Sequence, residues 1–362
     1  MTDTSAINYN GNLSWLKART VLYVVHGSRA YGTNRPDSDY DFKGVAVAPR
    51  KYRDGYLNVF EQAEIKDGDD AVIYSLPKFF SLAADCNPNI IEVLWVDPSD
   101  LRVVTPQGQR LIDNRTKFLS RKAVHTFRGY AMAQLKRINT HKKWLLSPPD
   151  HQPTRAEFEL PERTVIPADQ LAAAMSEVTK KLDSWEIDFL DMDEAGKIYI
   201  QEQIASYLKD LKIGSDEKFR AAGRLIGYEE NFLVLLDRER HYSAALKNWQ
   251  QYQDWKTNRN VKRSDLEAKF GYDTKHGMHL VRLLRMCREI LTEGLVHVRR
   301  PDAKELLAIR DGEWSYEKLI GWAEEQDADL MEVAKTSPLP KGPDRVALDE
   351  LCQEIVRSMP AE

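Results

Sequence analysis

The hydrophobic pattern of this chain changes once, near residue 115, and this change constrains the fold more than any other sequence feature. Before it, short β-branched runs at Thr20–Val25, Asp41–Ala48 and Ala71–Tyr74 alternate with turns that contain glycine or proline, which is typical of strands. After it, apolar residues recur at helical spacing almost throughout. We therefore expect an α+β protein with a small mixed sheet and helices in residues 1–115, followed by a mostly α-helical domain in residues 116–362.

Helical periodicity gives more detail on both parts. In the first part, Leu76–Asp85 has a helical pattern in which Pro77 is tolerated within the first turn. In the second part the predicted helices are Phe118–Leu145, Ala168–Leu190, Ile198–Leu211, Ala244–Trp255, His276–Leu291 and Lys304–Arg310. Five prolines in residues 147–167 predict an irregular surface excursion between helices.

Composition excludes several classes of protein. Lys and Arg number 52 against 56 Asp and Glu, so the net charge of −4 gives no overall attraction to nucleic acids or membranes. Apolar stretches such as Val21–Val25 are far shorter than the roughly 20 residues that cross a bilayer. The cysteines Cys86, Cys287 and Cys352 are widely spaced and odd in number, which favours a reducing compartment over a disulfide framework. We expect a soluble cytoplasmic protein without a membrane partner.

The stretch with the clearest chemistry begins where the first predicted strand ends. Gly27 and Ser28 follow that strand, and Asp39 and Asp41 open the next one about ten residues later. Side chains two residues apart on a strand share a face, so the two carboxylates are expected side by side. They repel each other unless a cation lies between them, and Mg²⁺ takes oxygen ligands while it keeps positions for phosphates. Glycine permits close backbone approach to a phosphate, and the serine adds a hydroxyl.

Phosphate chemistry at such a site is helped by two ions, and the second ion usually needs a third carboxylate. Asp70 is the best candidate because it opens the strand that directly precedes the helix at residue 76. Asp69, Asp67 and Glu64 remain alternatives. The same third carboxylate is the expected general base for the acceptor hydroxyl.

Two basic segments have more than one interpretation. Lys275, His276, His279 and Arg282 lie near one face of a predicted helix; they either line the nucleotide site and meet its triphosphate or form a helix face packed on the core. The segment Arg115–Trp144 has nine Lys or Arg and no acidic residue. It either binds an RNA backbone, with Arg128, Lys136 and Arg137 among the cations involved, or is a solvated helix face.

These separated blocks resemble the DNA polymerase β-like nucleotidyltransferase superfamily. The blocks are Gly27-Ser-Arg-Ala-Tyr-Gly-Thr33, Ser38-Asp-Tyr-Asp41, Asp70…Tyr74-Ser-Leu-Pro-Lys-Phe79, Asn87-Pro-Asn89…Glu92 and Tyr272-Asp-Thr-Lys-His-Gly-Met-His279-Leu-Val-Arg282. They are similar to one branch of it, the RlaP-like nucleotidyltransferases associated with RNA repair in bacteria and their phages. By this resemblance, catalytic roles fall on Gly27, Ser28, Asp39, Asp41 and Asp70.

The resemblance implies transfer of a nucleoside monophosphate from an NTP to a hydroxyl group. It requires a two-ion Mg²⁺ site, in which Mn²⁺ can substitute, and it points to an RNA 3′ end as the acceptor. A protein or small-molecule hydroxyl, such as that of an aminoglycoside, is chemically equivalent for the same residues. A non-catalytic module that binds nucleotide or RNA is the alternative from another class. Both Asp39 and Asp41 are present. This favours the enzyme, because a module that has lost catalysis would be expected to lose a metal-binding carboxylate.

Overall fold

The computed structural model describes residues 4–66, 70–164, 166–183, 215–258 and 261–360. The predicted helix Ile198–Leu211 and the alternative carboxylates Asp67 and Asp69 lie outside these residues. The chain divides into two compact units, one built from residues 1–141 together with 262–362 and the other from residues 142–261. The expected boundary at residues 115/116 falls inside the first unit, whose later segment is helical.

A five-stranded mixed sheet forms the β part of the first unit. The strands are β1 (Thr20–His26), β2 (Asp41–Ala46), β3 (Gln62–Ile65), β4 (Asp70–Ser75) and β5 (Leu101–Val104), in the spatial order β3-β4-β2-β1-β5. Strands β2 and β4 are parallel, and every other neighbouring pair is antiparallel. The small mixed sheet expected from the sequence is confirmed.

Burial explains why these runs form strands. Every residue of β1 is buried, which suits its almost continuous apolar sequence. Tyr23 of β1 stacks on Phe42 of β2 with ring centroids 5.1 Å apart. Ile73 of β4 and Val103 of β5 belong to the same apolar cluster as Tyr23. The sheet therefore holds its strand ends in fixed positions.

The helices of the first unit account for most of its remaining described residues. They are α1 (Leu16–Arg19), α2 (Gly27–Tyr31), α3 (Arg50–Arg53), α4 (Leu76–Ala84), α5 (Pro88–Ile91), α6 (Pro106–Asp113), α7 (Ala123–Leu146), α11 (Val261–Phe270), α12 (Thr274–Glu293), α13 (Ala303–Arg310), α14 (Tyr316–Thr336) and α15 (Arg345–Arg357). Short 3₁₀ turns cover Glu92–Leu94, Pro98–Asp100 and Arg115–Phe118. Helix α12 has thirteen buried residues and packs on α13 and α14.

Side-chain caps fix the starts of the helices near the sheet edge. Ser75 accepts a hydrogen bond from the Lys78 amide at the start of α4. Asn87 caps α5 by accepting from the Asn89 amide, with Pro88 in the first position, as the sequence predicts. Such caps satisfy amides that lack partners within the helix, so the beginning of each helix is set by its own sequence.

The second unit is helical in its described residues. Its helices are α8 (Ala168–Asp183), α9 (Ser215–Leu225) and α10 (Glu230–Thr257), with a 3₁₀ turn at Ala156–Phe158. Val178, Phe219 and Leu233 lie in one buried cluster. Among described residues 147–167, that 3₁₀ turn is the one helical element, in agreement with the predicted irregular excursion.

Sequence patterns and structure differ at short elements and at some long helices: α14 and α15 were not among the predicted helices, and α10 is much longer than the predicted Ala244–Trp255. The second predicted strand ends at Ala46 rather than Ala48, and the first long helix begins at Ala123 rather than Phe118. Strands β3 and β5 were not predicted, because four residues give too short a pattern. The described chain forms no disulfide: Cys86 and Cys287 are buried and free. Across the described segments, no helix combines the length and apolar character that a membrane crossing requires.

Candidate active site

Polar side chains gather at the sheet edge where β1 ends and β2 and β4 begin. His26, the last residue of β1, pairs with Asp41 at the start of β2, and Asp41 pairs with Asp70 at the start of β4. Paired residues on neighbouring strands lie about 5 Å apart and present their side chains on one face. The structure therefore brings Asp41 and Asp70 together. Glu64 pairs instead with Val72, further along β4.

Asp39 lies outside the strand, in contrast to the expectation that it opens β2 beside Asp41. Strand β2 begins at Asp41, and Asp39 is exposed in the preceding loop. Arg29 shapes this loop: its Nη2 donates to the Ser38 carbonyl at 2.6 Å, and its guanidinium lies 3.8 Å from the centre of the Tyr40 ring. Asp39 still raises the pKa of Asp41, so its charge acts on the carboxylate at the sheet edge.

Gly27 makes the junction between β1 and α2 possible. Its φ of +69° lies in the left-handed region that favours glycine. A Cβ atom at this position would overlap the Asp41 carboxylate. Ser28 follows and accepts a hydrogen bond from the Thr33 amide through its carbonyl, at 2.9 Å. The absent side chain thus lets a carboxylate lie directly against the turn.

A cavity of about 940 Å³ opens at this edge, within the first unit. Its wall contains eight of the nine residues that the sequence pointed to as catalytic or nucleotide-binding, namely Gly27, Ser28, Asp41, Asp70, Lys275, His276, His279 and Arg282. Asp39 is not part of the wall. The volume lies in the range of sites that bind small molecules and cofactors. Residues about 250 positions apart in the sequence therefore share one cavity.

Negative charge is concentrated at the edge of the sheet, beside the cavity. Burial raises the pKa of Asp41, and the carboxylates of Asp70 and Asp39 raise it further. Lys275 acts in the opposite direction and lowers the pKa of Asp41. Carboxylate oxygens held together in this way are the donors that Mg²⁺ prefers, and a divalent cation would relieve their repulsion. The donor set therefore fits the metal that the resemblance implies.

Helix α12 supplies the opposite wall of the cavity. Asp273 caps the helix by accepting from the His276 amide at 3.1 Å. The His276 ring lies 2.7 Å from Gln134 Oε1 through Nδ1, so this histidine is held within a packed region. Lys275 and His279 are less buried than His276. Lys275 is therefore the α12 residue whose charge is most directly available to the carboxylates.

Arg282 reaches the cavity from within a buried network. Its Nη1 donates to Glu92 Oε1 at 2.6 Å, and its guanidinium stacks 3.9 Å from the centre of the Tyr31 ring. Tyr31 donates its hydroxyl hydrogen to Glu92 Oε2 at 2.6 Å, and His26 Nε2 lies 3.1 Å from the same oxygen. The sequence analysis placed Arg282 among the triphosphate contacts. In the structure Glu92 already balances its charge.

The pKa shifts in this network agree with its hydrogen bonds. Burial opposes ionisation of Glu92, but Arg282, His26 and Tyr31 together hold the pKa of Glu92 well below its usual range. Burial lowers the pKa of His26 and raises that of Tyr31 well above its usual value. The Tyr31 hydroxyl thus donates to the Glu92 carboxylate, and the His26 imidazole lies close to the same oxygen.

Lys43 is a cavity residue that sequence reasoning missed. It projects from β2 two residues after Asp41, and its ammonium donates to the Asn89 carbonyl at 2.7 Å. Burial lowers the pKa of Lys43 to about 8. The available signal was its alternation with Asp41, since residues two apart on a strand share a face. Tyr130 of α7 also lines the cavity and was missed.

The basic residues of α7 are not equivalent. Arg128 forms an ion pair with Asp327 of α14, including an Nη2–Oδ2 hydrogen bond of 2.8 Å. Lys136 and Arg137 are exposed, and Arg137 lines the cavity. The structure therefore divides the three cations predicted to hold RNA into one that is neutralised within the protein and two that face solvent.

Comparison with known proteins finds a family model that is similar to the first part of the chain. Residues 9–146 match the family model RlaP, described as the RNA repair pathway DNA polymerase beta family. This match confirms the resemblance drawn from the sequence motifs. The matched segment contains β1, β2 and β4 with Asp39, Asp41 and Asp70. It ends before α12.

A curated relative extends the comparison to a phage. The chain is 33% identical over 131 residues to an uncharacterized 38.9 kDa protein from the nrdC-mobD intergenic region of Enterobacteria phage T4. The aligned part covers 32% of this chain and 38% of the phage protein. The similarity supports the expected bacterial or phage origin. No solved structure matches the chain.

Proposed function

Residues 9–146 match the RlaP family of DNA polymerase β-like nucleotidyltransferases, and on this premise we propose that the protein is a Mg²⁺-dependent nucleotidyltransferase. It transfers a nucleoside monophosphate from an NTP to a hydroxyl group and releases pyrophosphate. The observation that carries the proposal is the pairing of Asp41 with Asp70 at the rim of a cavity, with Gly27 against the Asp41 carboxylate. Such pairing provides adjacent oxygen ligands from a rigid sheet.

The three carboxylates share one task in this proposal, and Asp70 has a second. Asp39, Asp41 and Asp70 would hold Mg²⁺, which supplies positive charge for the phosphate groups. The acceptor oxygen attacks the α-phosphorus, the bond to the β-phosphate oxygen breaks, and pyrophosphate leaves. Asp70 takes the proton of the acceptor hydroxyl. Asp39, in the loop that Arg29 holds through the Ser38 carbonyl, would be the third of these ligands.

Positive groups on the opposite wall complement the triphosphate. Lys275 lies close enough to the carboxylates to lower the pKa of Asp41, and His276 and His279 line the same cavity. Charged hydrogen bonds to phosphate are stronger than neutral ones. Arg282 contributes by fixing Glu92 and Tyr31 rather than by donating its full charge to the substrate. Lys43 adds a cation beside Asp41.

The acceptor in this proposal is RNA, held at its 3′ end. Lys136 and Arg137 of α7 are exposed, and Arg137 also lines the cavity, so a phosphate backbone bound along α7 would lead into the site. Phosphate contacts of this kind give affinity without sequence specificity. A protein or small-molecule acceptor would not need a positively charged surface that leads to the site.

A transfer assay with three acceptor classes tests the proposal. The protein is incubated with Mg²⁺ and α-³²P-labelled NTPs together with mixed RNA, purified protein or an aminoglycoside, and labelled products are separated. We expect label on RNA, and loss of that label in Asp41→Asn. Glu64→Gln is the matched control, because Glu64 is a carboxylate of the same sheet that pairs away from the site. Label on protein or aminoglycoside would show that the acceptor is not RNA. No label on any of the three classes would support a non-catalytic module that binds nucleotide or RNA.

A further inference from the structure

A second group of metal-ligating side chains lies in the first unit, away from the paired strand carboxylates. His141 is on α7, Glu267 is on α11, and Asp273 caps α12. The ligand atoms of these three residues all lie within 4.8 Å of one another. His141 Nδ1 is 3.0 Å from Glu267 Oε1. Three separate helical elements thus direct one donor each toward a common point.

The distances suit one small divalent ion. Bonds from Zn²⁺ to histidine nitrogen or carboxylate oxygen measure about 2.0–2.2 Å, so two ligands of one ion lie at most roughly 4.4 Å apart. In a tetrahedral site the ligands lie closer together, roughly 3.3–3.6 Å apart, so donor atoms within 4.8 Å of one another would need side-chain shifts on the order of 1 Å, whereas the His141–Glu267 pair is already at 3.0 Å. An imidazole together with two carboxylates favours a transition metal such as Zn²⁺ over Mg²⁺, which prefers oxygen alone.

Burial makes the group unlike an ordinary acidic surface patch. Glu267 is 2% exposed and Asp273 is 1% exposed. Buried carboxylates are stabilised when they are paired or when they coordinate a metal. Elsewhere, His151 also contacts two carboxylates, those of Asp150 and Glu157, but all three side chains are well exposed. The two groups share their chemistry and differ in their access to water.

Neighbouring residues already orient the ligands. Asp273 Oδ1 accepts from the His276 amide at 3.1 Å, and Asp273 Oδ2 lies 3.5 Å from His276 Nε2. His276 is in turn held by Gln134 through Nδ1, at 2.7 Å. Support of this kind commonly fixes the geometry of metal ligands. It also links the group to the start of α12, which carries Lys275 and His279.

We propose that His141, Glu267 and Asp273 bind a structural Zn²⁺ that fixes the start of α12. The ion is separate from the Mg²⁺ of the proposed active site, and the proposal does not depend on the nucleotidyltransferase activity. By joining α7, α11 and α12, the ion would hold the cavity wall that bears Lys275, His276 and His279.

Zinc content in a protein without the strand carboxylates tests this site. The variant Asp41→Asn/Asp70→Asn removes the other cluster, and after chelation the protein is dialysed against Zn²⁺ and analysed by mass spectrometry. We expect one Zn²⁺ per chain. Adding Glu267→Gln should weaken binding at least about a hundredfold, because losing a ligand costs more than losing its hydrogen-bond support. His151→Gln is the matched control and should keep the ion.

Two further readouts guard against a folding artefact. Circular dichroism of the chelated proteins reports whether Glu267→Gln and a second variant, His141→Gln, are folded. Co²⁺ added to the protein that lacks only Asp41 and Asp70 should give visible bands of an imidazole-ligated ion. Absence of bound Zn²⁺ and of these bands would overturn the proposal. Equal Zn²⁺ retention after Glu267→Gln or His141→Gln would overturn it as well.

Discussion

Gly27 is the residue on which the geometry of the sheet edge depends most closely. Its positive φ and the adjacent Asp41 carboxylate leave no room for a side chain. Gly27→Ala therefore combines backbone strain of about 1–2 kcal/mol with displacement of a proposed metal ligand. We expect nucleotide transfer to fall at least tenfold and the Mg²⁺ requirement to rise, measured as initial rates against Mg²⁺ concentration.

Gly294→Ala is the matched control for this prediction. Gly294 ends α12 with a similar φ of +68°, but a Cβ there would make only an ordinary contact with Leu339, at 3.7 Å. Both variants should lose similar stability, whereas only Gly27→Ala should lose activity. Equal activity in the two variants would show that the close approach to Asp41 has no catalytic consequence.

Glu92 gives a residue-scale prediction about stability. Its pKa is depressed in the folded protein, so its ionised form stabilises the fold above the unfolded value of about 4.3. That stabilisation is lost as the pH falls toward the folded pKa. Glu92→Gln leaves Arg282 buried without its counter-charge and should cost about 3–5 kcal/mol at pH 7.

Urea unfolding at several pH values tests whether the contribution of Glu92 to stability decreases as the pH falls. The difference in unfolding free energy between wild type and Glu92→Gln should be largest at neutral pH and should shrink below about pH 4. Glu61→Gln is the control, because Glu61 also pairs with a cation, Lys78 at 2.7 Å, but lies on the surface. Its effect should be far smaller than that of Glu92→Gln at every pH, because water screens an exposed ion pair. A difference for Glu92→Gln that does not change with pH would contradict the network.

At the scale of elements, the sequence predicted several strongly patterned runs, but the 21-residue helix α14 was not among its predicted helices. Strand β1, the helix after Ser75 and the proline-led start of α5 follow from residues close in sequence. The short edge strands β3 and β5 could not be predicted, because they are stabilised by pairing with β4 and β1. The pairing of Asp41 with Asp70 was anticipated, whereas the placement of Asp39 in a loop depended on contacts of Arg29.

Helix α7 allows its three predicted RNA contacts to be separated. Lys136 and Arg137 are exposed, and Arg128 is paired with Asp327. Lys136→Gln/Arg137→Gln should reduce the slope of log affinity against log salt for single-stranded RNA by about 1.4, at ~0.7 for each phosphate contact. Arg128→Gln should lower the melting temperature and leave that slope unchanged. Fluorescence anisotropy at several salt concentrations measures the slope; an equal change for Arg128→Gln would contradict the assignment.

Helix α12 makes a prediction about nucleotide binding. Lys275 lines the cavity and interacts with Asp41, so Lys275→Ala should raise KM for the NTP about tenfold or more, given 1.5–3 kcal/mol for a charged hydrogen bond. Lys304→Ala on α13 is the control, because Lys304 is exposed and does not line the cavity. A lower melting temperature with unchanged KM would favour a packing role for this helix face.

At the scale of the whole molecule, the cavity is built from two distant parts of the chain. Its wall combines strand ends near residues 26–28, 41–43 and 70–72 and one side of α7 with α12. The first unit likewise joins residues 1–141 to 262–362. Local periodicity carries no information on which helix packs against which strand edge. Sequence patterns therefore could not predict the buried pairing of Glu92 with Arg282, which are 190 residues apart. Both residues nevertheless belong to the motifs identified in the sequence.

In the proposed reaction the α-phosphate of an NTP, and not its γ-phosphate, is transferred to an acceptor. The direct measurement supplies RNA and Mg²⁺ with NTP labelled in parallel reactions at the α or the γ position. We expect α-label to become attached to RNA while γ-label leaves as pyrophosphate in equal amount, and we expect Asp70→Asn to abolish both. Transfer of γ-label to RNA, or release of pyrophosphate with no labelled acceptor, would contradict it.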